Sequence, residues 1–129
     1  MSHYHAVLWM DHAEARVFHV TKDASERIVL HPHAHHHAHQ HGMRNKAHTE
    51  CPQDFLHTVV EAMQGAQEWL VTGPGDAKHE FVRHVESHDP QFRGRIVGVE
   101  GADHPTDGQI IAHARKAFER IDRMRPQAG

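Results

Sequence analysis

Two short apolar runs on either side of an amphipathic segment constrain the fold more than any other feature of this sequence. The runs EWLVTG (68–73) and RIVGVE (95–100) are too short for helices and are typical of buried strands. The segment 76–88 between them has apolar residues at helical spacing and Asp76 as a candidate N-cap. A strand, helix and strand joined by a right-handed crossover give parallel strands. We therefore expect two parallel, central strands.

Three β-type segments precede this unit. Segments 4–10 and 14–20 are rich in β-branched and aromatic residues and flank the short polar stretch DHA, which predicts a hairpin. Segment 27–31, RIVLH, follows a polar turn and predicts a third antiparallel strand.

Two further segments have helical periodicity. The first begins near Pro52 and Asp54. The second begins near Thr106, which has capping-box spacing to Gln109. Their apolar faces are Phe55, Leu56, Val59, Val60, Met63 and Ala66 in the first helix, and Ile110, Ile111, Ala114, Phe118 and Ile121 in the second.

The order βββ-loop-αβαβα predicts an α/β fold of the ribonuclease-H-like layout: a mixed five-stranded sheet in which an antiparallel β1-β2-β3 meander joins two parallel strands, β4 and β5, with helices packed on the sheet. A chain of 129 residues closes one core. We therefore expect a single domain over 1–129, with a His-rich loop at 31–48 and a short flexible tail at 123–129.

Charge and cysteine content exclude several classes of protein. The net charge of -3 with neutral histidines argues against a protein that coats nucleic acid, so no DNA partner is expected and any RNA contact must be local. A lone Cys51 cannot form an internal disulfide, and the sequence has neither a signal peptide nor an apolar stretch long enough for a membrane. A cytoplasmic location is the expectation.

The run HPHAHHHAHQHGMRNKAH (31–48) contains 8 of the 18 histidines. It is interrupted by other residues and lies inside the domain, whereas purification tags lie at termini, so we treat it as native. Histidines at a two-residue period can bring their rings to one side of an extended chain and bind zinc, nickel or copper. The candidate metal ligands are His31, His33, His35, His36, His37, His39 and His41.

The alternative is a solvated loop with the metal affinity of any polyhistidine tract and no evolved role. No carboxylate lies between Glu26 and Glu50 to orient the rings. The same loop can contact RNA: Arg44, Asn45 and Lys46 supply phosphate-binding groups, and protonated or metal-loaded histidines beside them would add positive charge. The alternative for these three residues is a flexible exposed basic stretch.

Enzyme classes are less well supported. A nuclease of this layout needs carboxylates that converge on a divalent metal, and Asp11, Glu14, Asp103 and Asp107 are available. Asp11 and Glu14 flank a hairpin turn, where acidic residues are common, and the strand at 68–73 has no acidic residue at its centre. The sequence favours a protein that is not an enzyme.

Other chemical motifs have simpler structural interpretations. Cys51, with His48 and His57 nearby in sequence, does not define a catalytic triad. We place His79, His84 and His88 on the exposed side of their helix, where the last two would bind a metal only weakly. The turn GPGD (73–76) lacks the spacing of a phosphate-binding loop and is interpreted as a structural turn.

The stretch WLVTGPGDAKHEFVRHVESHDPQFRGRIVGVEGADHPTDGQIIAHA and the N-terminal HAVLWMDHAEARVFHV resemble the middle domain of archaeo-eukaryotic class-1 release factors and Pelota, together with related small bacterial proteins of the translational machinery. The resemblance covers nearly the whole chain. It implies a ribonuclease-H-like fold with a long loop between the third strand and the first helix. In release factors that loop carries a Gly-Gly-Gln tripeptide that promotes peptidyl-tRNA hydrolysis.

This chain contains no Gly-Gly-Gln, and the corresponding interval holds the histidine run. His41 in Gln40-His41-Gly42 lacks the backbone freedom of glycine, and Asp107-Gly108-Gln109 belongs to the start of the last helix. The resemblance therefore implies a non-catalytic, translation-associated binding module whose partner is the ribosome or a tRNA. A metal-binding protein is the first alternative and a divalent-metal nuclease the second. An exposed third strand would also allow a homodimer.

Overall fold

In residues 4–32 and 51–124, which this computed structural model describes, five strands and three α-helices follow one another in the predicted order. The strands are β1 (His5–Met10), β2 (Ala15–Val20), β3 (Ser25–Leu30), β4 (Glu68–Gly73) and β5 (Ile96–Gly101). The helices are α1 (Gln53–Met63), α2 (Ala77–His88) and α3 (Asp107–Met124), and a 3-10 helix, Pro90–Arg95, precedes β5. The mixed α/β class is confirmed.

The five strands form one mixed sheet in the order β3-β2-β1-β4-β5. β2 pairs antiparallel with β1 and β3, while β4 pairs parallel with β1 and β5. The predicted meander and the parallel pair are confirmed. The prediction that β5 is central was wrong: β5 forms an edge of the sheet because α3, which follows it, packs back over β1 and β2.

Strand β1 is buried on both faces, which explains its unbroken apolar run. Its side chains alternate between two cores because successive residues of a strand point to opposite faces. Leu8 and Met10 join the core under α1 and α2, and Val7 and Trp9 join the core under α3. The Trp9 indole N–H donates to the backbone oxygen of Asp103 at 3.0 Å, so its one polar group is satisfied inside the core.

The helices dock through the faces that their periodicity predicts. In α1 the buried residues are Phe55, Leu56, Val59, Val60 and Met63; in α3 they are Ile110, Ala114, Ala117 and Phe118. The capping box is present: the Thr106 N–H donates to Gln109 Oε1 at 2.9 Å, and the Gln109 N–H donates to Thr106 Oγ1 at 3.1 Å. Asp76 holds the N-cap position of α2, but its side chain makes no capping hydrogen bond.

None of the helices in the described part of the chain has the length and apolar character that a bilayer span requires. The two apolar cores are instead divided among three amphipathic helices and the sheet. Each helix presents one apolar face to the sheet, which is the pattern of a layered α/β domain.

The turn after β4 depends on a glycine. Gly73 has a φ of +153°, and a Cβ added there would lie 2.1 Å from the backbone oxygen of Met10. Both the backbone conformation and the close approach of β1 exclude a side chain. This part of GPGD is therefore a structural turn, as predicted.

We expect Gly73→Ala to lower the free energy of unfolding by about 3 kcal/mol, because strain in the backbone and the clash with β1 add. Urea denaturation followed by circular dichroism measures the change. Gly94→Ala is the matched control, since a Cβ at Gly94 would meet no atom within 4 Å. Equal stability of the two variants would contradict the assignment.

Candidate functional site

Four strands end at one edge of the sheet. The chain between β3 and α1, which contains the histidine run 31–48 and is called the histidine segment below, leaves from that edge. The register pairs Met10 with Ala15, and Ala15 with Leu30, so the ends of β1 and β3 lie side by side. The parallel strands β4 and β5 end beside them, at Gly73 and Gly101. We call this the carboxyl edge, and it is where ligands bind in open α/β sheets.

His31 is the first of the predicted metal ligands and the one that the structure describes. Its side chain is exposed, and its Nε2 lies 3.4 Å from Oε1 of Glu14. Sequence spacing did not reveal this carboxylate because Glu14 comes from the β1–β2 turn. Outside the described residues lie the other predicted ligands, His33, His35, His36, His37, His39 and His41, and the predicted RNA contacts Arg44, Asn45 and Lys46.

The chain re-enters the described structure at Cys51, close to the same turn. The backbone N–H of Cys51 donates to Glu80 Oε1 at 2.7 Å, and the other Glu80 oxygen, Oε2, lies 2.9 Å from Nε2 of His12. Glu80 belongs to α2 and His12 to the β1–β2 turn. The two ends of the histidine segment are therefore both tied to the turn at residues 11–14.

The Glu80 carboxylate has a low pKa. Its burial favours the protonated form, but the hydrogen bonds from the Cys51 N–H and from His12, together with the charge of His12, outweigh this effect and lower the pKa. Glu80 is thus a charged anchor at neutral pH.

His12, Cys51 and Glu80 also offer three potential metal-ligating atoms within 4.8 Å of one another. Both carboxylate oxygens of Glu80 already accept hydrogen bonds, however. We therefore interpret these three residues as a hydrogen-bonded contact that holds Cys51 and His12 to α2. His57 does not join Cys51 in a catalytic arrangement; its ring lies between Glu61 and Asp89, at 3.3 Å and 4.0 Å.

Three of the four carboxylates considered for a nuclease, Asp11, Glu14 and Asp107, have structural partners. Asp11 Oδ1 accepts the N–H groups of Ala13 and Glu14 at 2.8 Å and 2.9 Å, which is a turn-capping role. Glu14 Oε2 accepts from Arg16 at 2.9 Å. Within the described ranges, neither these residues nor Asp103 and Asp107 belong to a group of three potential metal ligands.

Arg16 organises the outer part of the carboxyl edge. Its guanidinium lies 4.7 Å from the centre of the Trp9 ring and 3.1 Å from Asp107 Oδ1. Arg27 contacts the other oxygen of Asp107 at 2.7 Å. These ion pairs join β2 and β3 to the start of α3, so Asp107 serves the fold.

The placement of His84 on an exposed helix face was wrong. His79 and His88 are exposed, but only 5% of the surface of His84 is accessible. His84 follows Phe81 by three residues and therefore lies on its face of α2, towards α1. This spacing was a usable signal in the sequence, and the polarity of histidine concealed it.

Comparison with protein-family models gives no match, and comparison with curated proteins gives none. Solved structures do match. The Pelota protein of Thermoplasma acidophilum aligns with 95% of this chain at a TM-score of 0.59 and 21% identity, over 37% of its own length. Pelota of Archaeoglobus fulgidus aligns with 96% at a TM-score of 0.59 and 16% identity, over 38% of its length.

An archaeal translation termination factor, aRF1, aligns with 92% of the chain at a TM-score of 0.53 and 15% identity, over 39% of its length. The chain thus spans well under half the length of each of these proteins. At these identities the likeness concerns the fold, which agrees with the resemblance read from the sequence.

We expect Glu80→Gln to lower the free energy of unfolding by about 1 kcal/mol at pH 7, because it removes a charge that the folded state stabilises. A group whose pKa is lowered by folding stabilises the protein above its unfolded pKa, and this contribution is lost as the pH falls through its folded pKa. The difference between variant and wild type should therefore vanish in acid.

Urea denaturation at pH 7 and at steps down to about pH 3 measures this difference. Glu86→Gln is the control, because Glu86 is exposed on the same helix. A wild-type advantage that persisted at the lowest pH would show that Glu80 does not act through its charge.

Proposed function

We propose that this chain is a translation-associated binding module that contacts the ribosome or a tRNA and does not hydrolyse peptidyl-tRNA. The observation that carries the proposal is the fold, shared over 95% of the chain with a Pelota protein and over 92% with a termination factor. The strand order β3-β2-β1-β4-β5 supports the finer assignments, a ribonuclease-H-like domain related to the middle domain of those factors. A cytoplasmic location belongs to the same proposal.

The sequence supports binding without hydrolysis. It contains no Gly-Gly-Gln, and the segment between β3 and α1 carries histidines instead. Glycine pairs allow backbone conformations that other residues rarely adopt, and the sequence offers no such pair beside a glutamine. A module with these properties would occupy a site without cleaving the ester.

The position of the histidine segment supports a contact role. Both of its ends are tied to the turn at residues 11–14, through His31 with Glu14 and through Cys51 with Glu80 and His12. We propose that its side chains form the contact surface: His35, His36, His37, His39, His41, Arg44, Asn45 and Lys46. Arg44 and Lys46 would meet phosphates, and imidazole rings can stack on unpaired bases.

Ribosome binding is tested with purified ribosomes in a sedimentation assay at several salt concentrations. We expect the double variant Arg44→Ala/Lys46→Ala to bind more weakly and to reduce the slope of log affinity against log salt by about 2, because each phosphate contact contributes about 1. Fluorescence anisotropy with labelled tRNA tests the other partner in the same way.

The control is Lys116→Ala/Arg120→Ala, which removes the same charge from exposed positions of α3. It should leave the salt slope unchanged. Wild-type protein that sediments with ribosomes only at very low salt, and binds tRNA no better than the Arg44→Ala/Lys46→Ala variant does, would contradict the proposal.

A metal-binding protein is the second candidate function, and one contact favours it. His31 has the Glu14 carboxylate 3.4 Å from its Nε2. Metal-bound histidines commonly hold a carboxylate through their second nitrogen, which orients the ring. We propose that His31, with the histidines at alternate positions after it, would bind zinc, nickel or copper through this segment.

Calorimetric titration with nickel tests this candidate. We expect stoichiometric binding that weakens by at least tenfold when His35, His37 and His39 are replaced by Ala, because each removes a ligand. Replacement of the exposed His79, His88 and His104 is the control. Millimolar binding without a defined stoichiometry would instead identify an incidental polyhistidine affinity.

A homodimer through β3 also belongs to the proposals. β3 forms an edge of the sheet and exposes Ile28 and Val29 to solvent at 36% and 37%. An exposed edge strand with apolar side chains can pair with a second copy. Arg27 and Glu26 on the same strand oppose indiscriminate pairing.

A further inference from the structure

Helices α1 and α2 bring three potential metal ligands together on the face opposite α3. His57 lies in α1, His84 in α2, and Asp89 caps the C-terminus of α2. Asp89 Oδ2 lies 3.7 Å from His84 Nε2 and 4.0 Å from His57 Nδ1, and the three atoms lie within 4.8 Å of one another. We call this group the α1–α2 histidine site.

The hydrogen bonds of His84 determine which of its nitrogens is free to bind. Its Nδ1 lies 2.8 Å from Oε1 of Gln53, and since an amide oxygen only accepts, Nδ1 carries the proton. Nε2 of the neutral ring therefore has a lone pair, and it is directed towards Asp89. The His84 side chain is only 4% exposed, so this lone pair lies in the protein interior.

Two buried acceptors face each other at this site. Neither His84 Nε2 nor Asp89 Oδ2 has a hydrogen-bond partner among the described residues. A lone pair and a carboxylate oxygen at 3.7 Å repel each other, and each has lost its contact with water. An arrangement of this kind is unfavourable unless a proton, a cation or a bridging water connects the two atoms.

A proton on His84 Nε2 would place a positive charge on an imidazole ring whose side chain is only 4% exposed. Burial lowers the pKa of His84, the charges of His88 and His57 lower it further, and the opposing attraction of Asp89 does not compensate. The neutral imidazole that results is the form that ligates metals.

We propose that His57, His84 and Asp89 bind a divalent transition-metal ion of the zinc class. With bonds of about 2.0–2.2 Å, tetrahedral ligands lie about 3.4 Å apart, so the observed 3.7 Å and 4.0 Å need only small side-chain adjustments. Two nitrogen ligands and one carboxylate are a set that zinc accepts, and a water would complete four-coordination.

The surroundings of the ligands support the proposal. Each histidine has an oxygen near its second nitrogen: Gln53 Oε1 for His84 at 2.8 Å, and Glu61 Oε2 for His57 at 3.3 Å. Such outer contacts orient metal-bound imidazoles. The His57 side chain is 53% exposed, which leaves a path for the ion from solvent.

This site is independent of the proposed function and of the histidine segment at 31–48. Its ligands come from two helices and converge only in the folded protein. Zinc at this site should therefore stabilise the fold, whereas zinc on a tract that binds equally well in the unfolded chain changes the melting temperature little.

Asp89→Asn gives the sharpest test on the full-length protein. Without metal, the asparagine N–H₂ can donate to His84 Nε2, so the variant should melt higher than wild type. With zinc at about 100 times its dissociation constant, wild type should melt about 10 °C higher than without it, and the variant should gain almost nothing. His57→Gln, at an exposed position, should also abolish the zinc-dependent rise in melting temperature.

His79→Gln is the control, because His79 is an exposed histidine of the same helix outside the site. It should keep the full zinc-dependent rise. Long-range ¹H–¹⁵N spectra give a second readout: His84 should show the Nδ1–H tautomer without metal, and zinc should shift its Nε2 resonance.

Three outcomes would overturn the proposal. The first is an Asp89→Asn variant that melts lower than wild type without metal, since His84 and Asp89 would then form an ion pair. The second is a zinc-dependent rise that persists in Asp89→Asn and His57→Gln. The third is a His84 resonance that stays unchanged after zinc has saturated the other histidines.

Discussion

Strand β1 is buried on both faces, and the positions of all the other elements depend on this. The side chains of Ala6, Leu8 and Met10 enter one core and those of Val7 and Trp9 enter the other, so helices must cover both faces of the sheet. β2 and β4 then flank β1 and leave β3 and β5 as edges. The same arrangement fixes the end of β1, and with it the turn to which both ends of the histidine segment are tied.

That turn connects both ends of the segment to the folded domain. Glu14 reaches His31 on one side, and on the other His12 shares Glu80 with the backbone of Cys51. Both ends of the segment are therefore held by contacts to the same turn. A chain whose two ends are held has less conformational freedom than a free tail of the same length. Fixed ends would reduce the ordering cost of the partner binding proposed above.

Local patterns in the sequence were enough to predict the strands, the helices and the capping box of Thr106 and Gln109. These features depend on residues close together in the chain, where periodicity and hydrogen-bonding side chains act directly. The edge position of β5, the burial of His84 and the contact of Glu14 with His31 depend on long-range packing. Of these three features, only the burial of His84 could have been inferred from the sequence, because His84 follows the apolar Phe81 by three residues. The polarity of histidine suggested an exposed position instead.

The histidines of this chain fall into two chemically different groups. Those of the segment at 31–48 are neighbours in sequence, so the unfolded chain also offers several of them to one metal ion. His57 and His84 come within reach of one ion only after α1 packs on α2, and Gln53 then selects the nitrogen that remains free. By linkage, an ion that requires the fold must stabilise it, whereas an ion bound equally well by both states cannot. The effect of metal on unfolding therefore distinguishes the two groups even when total binding does not.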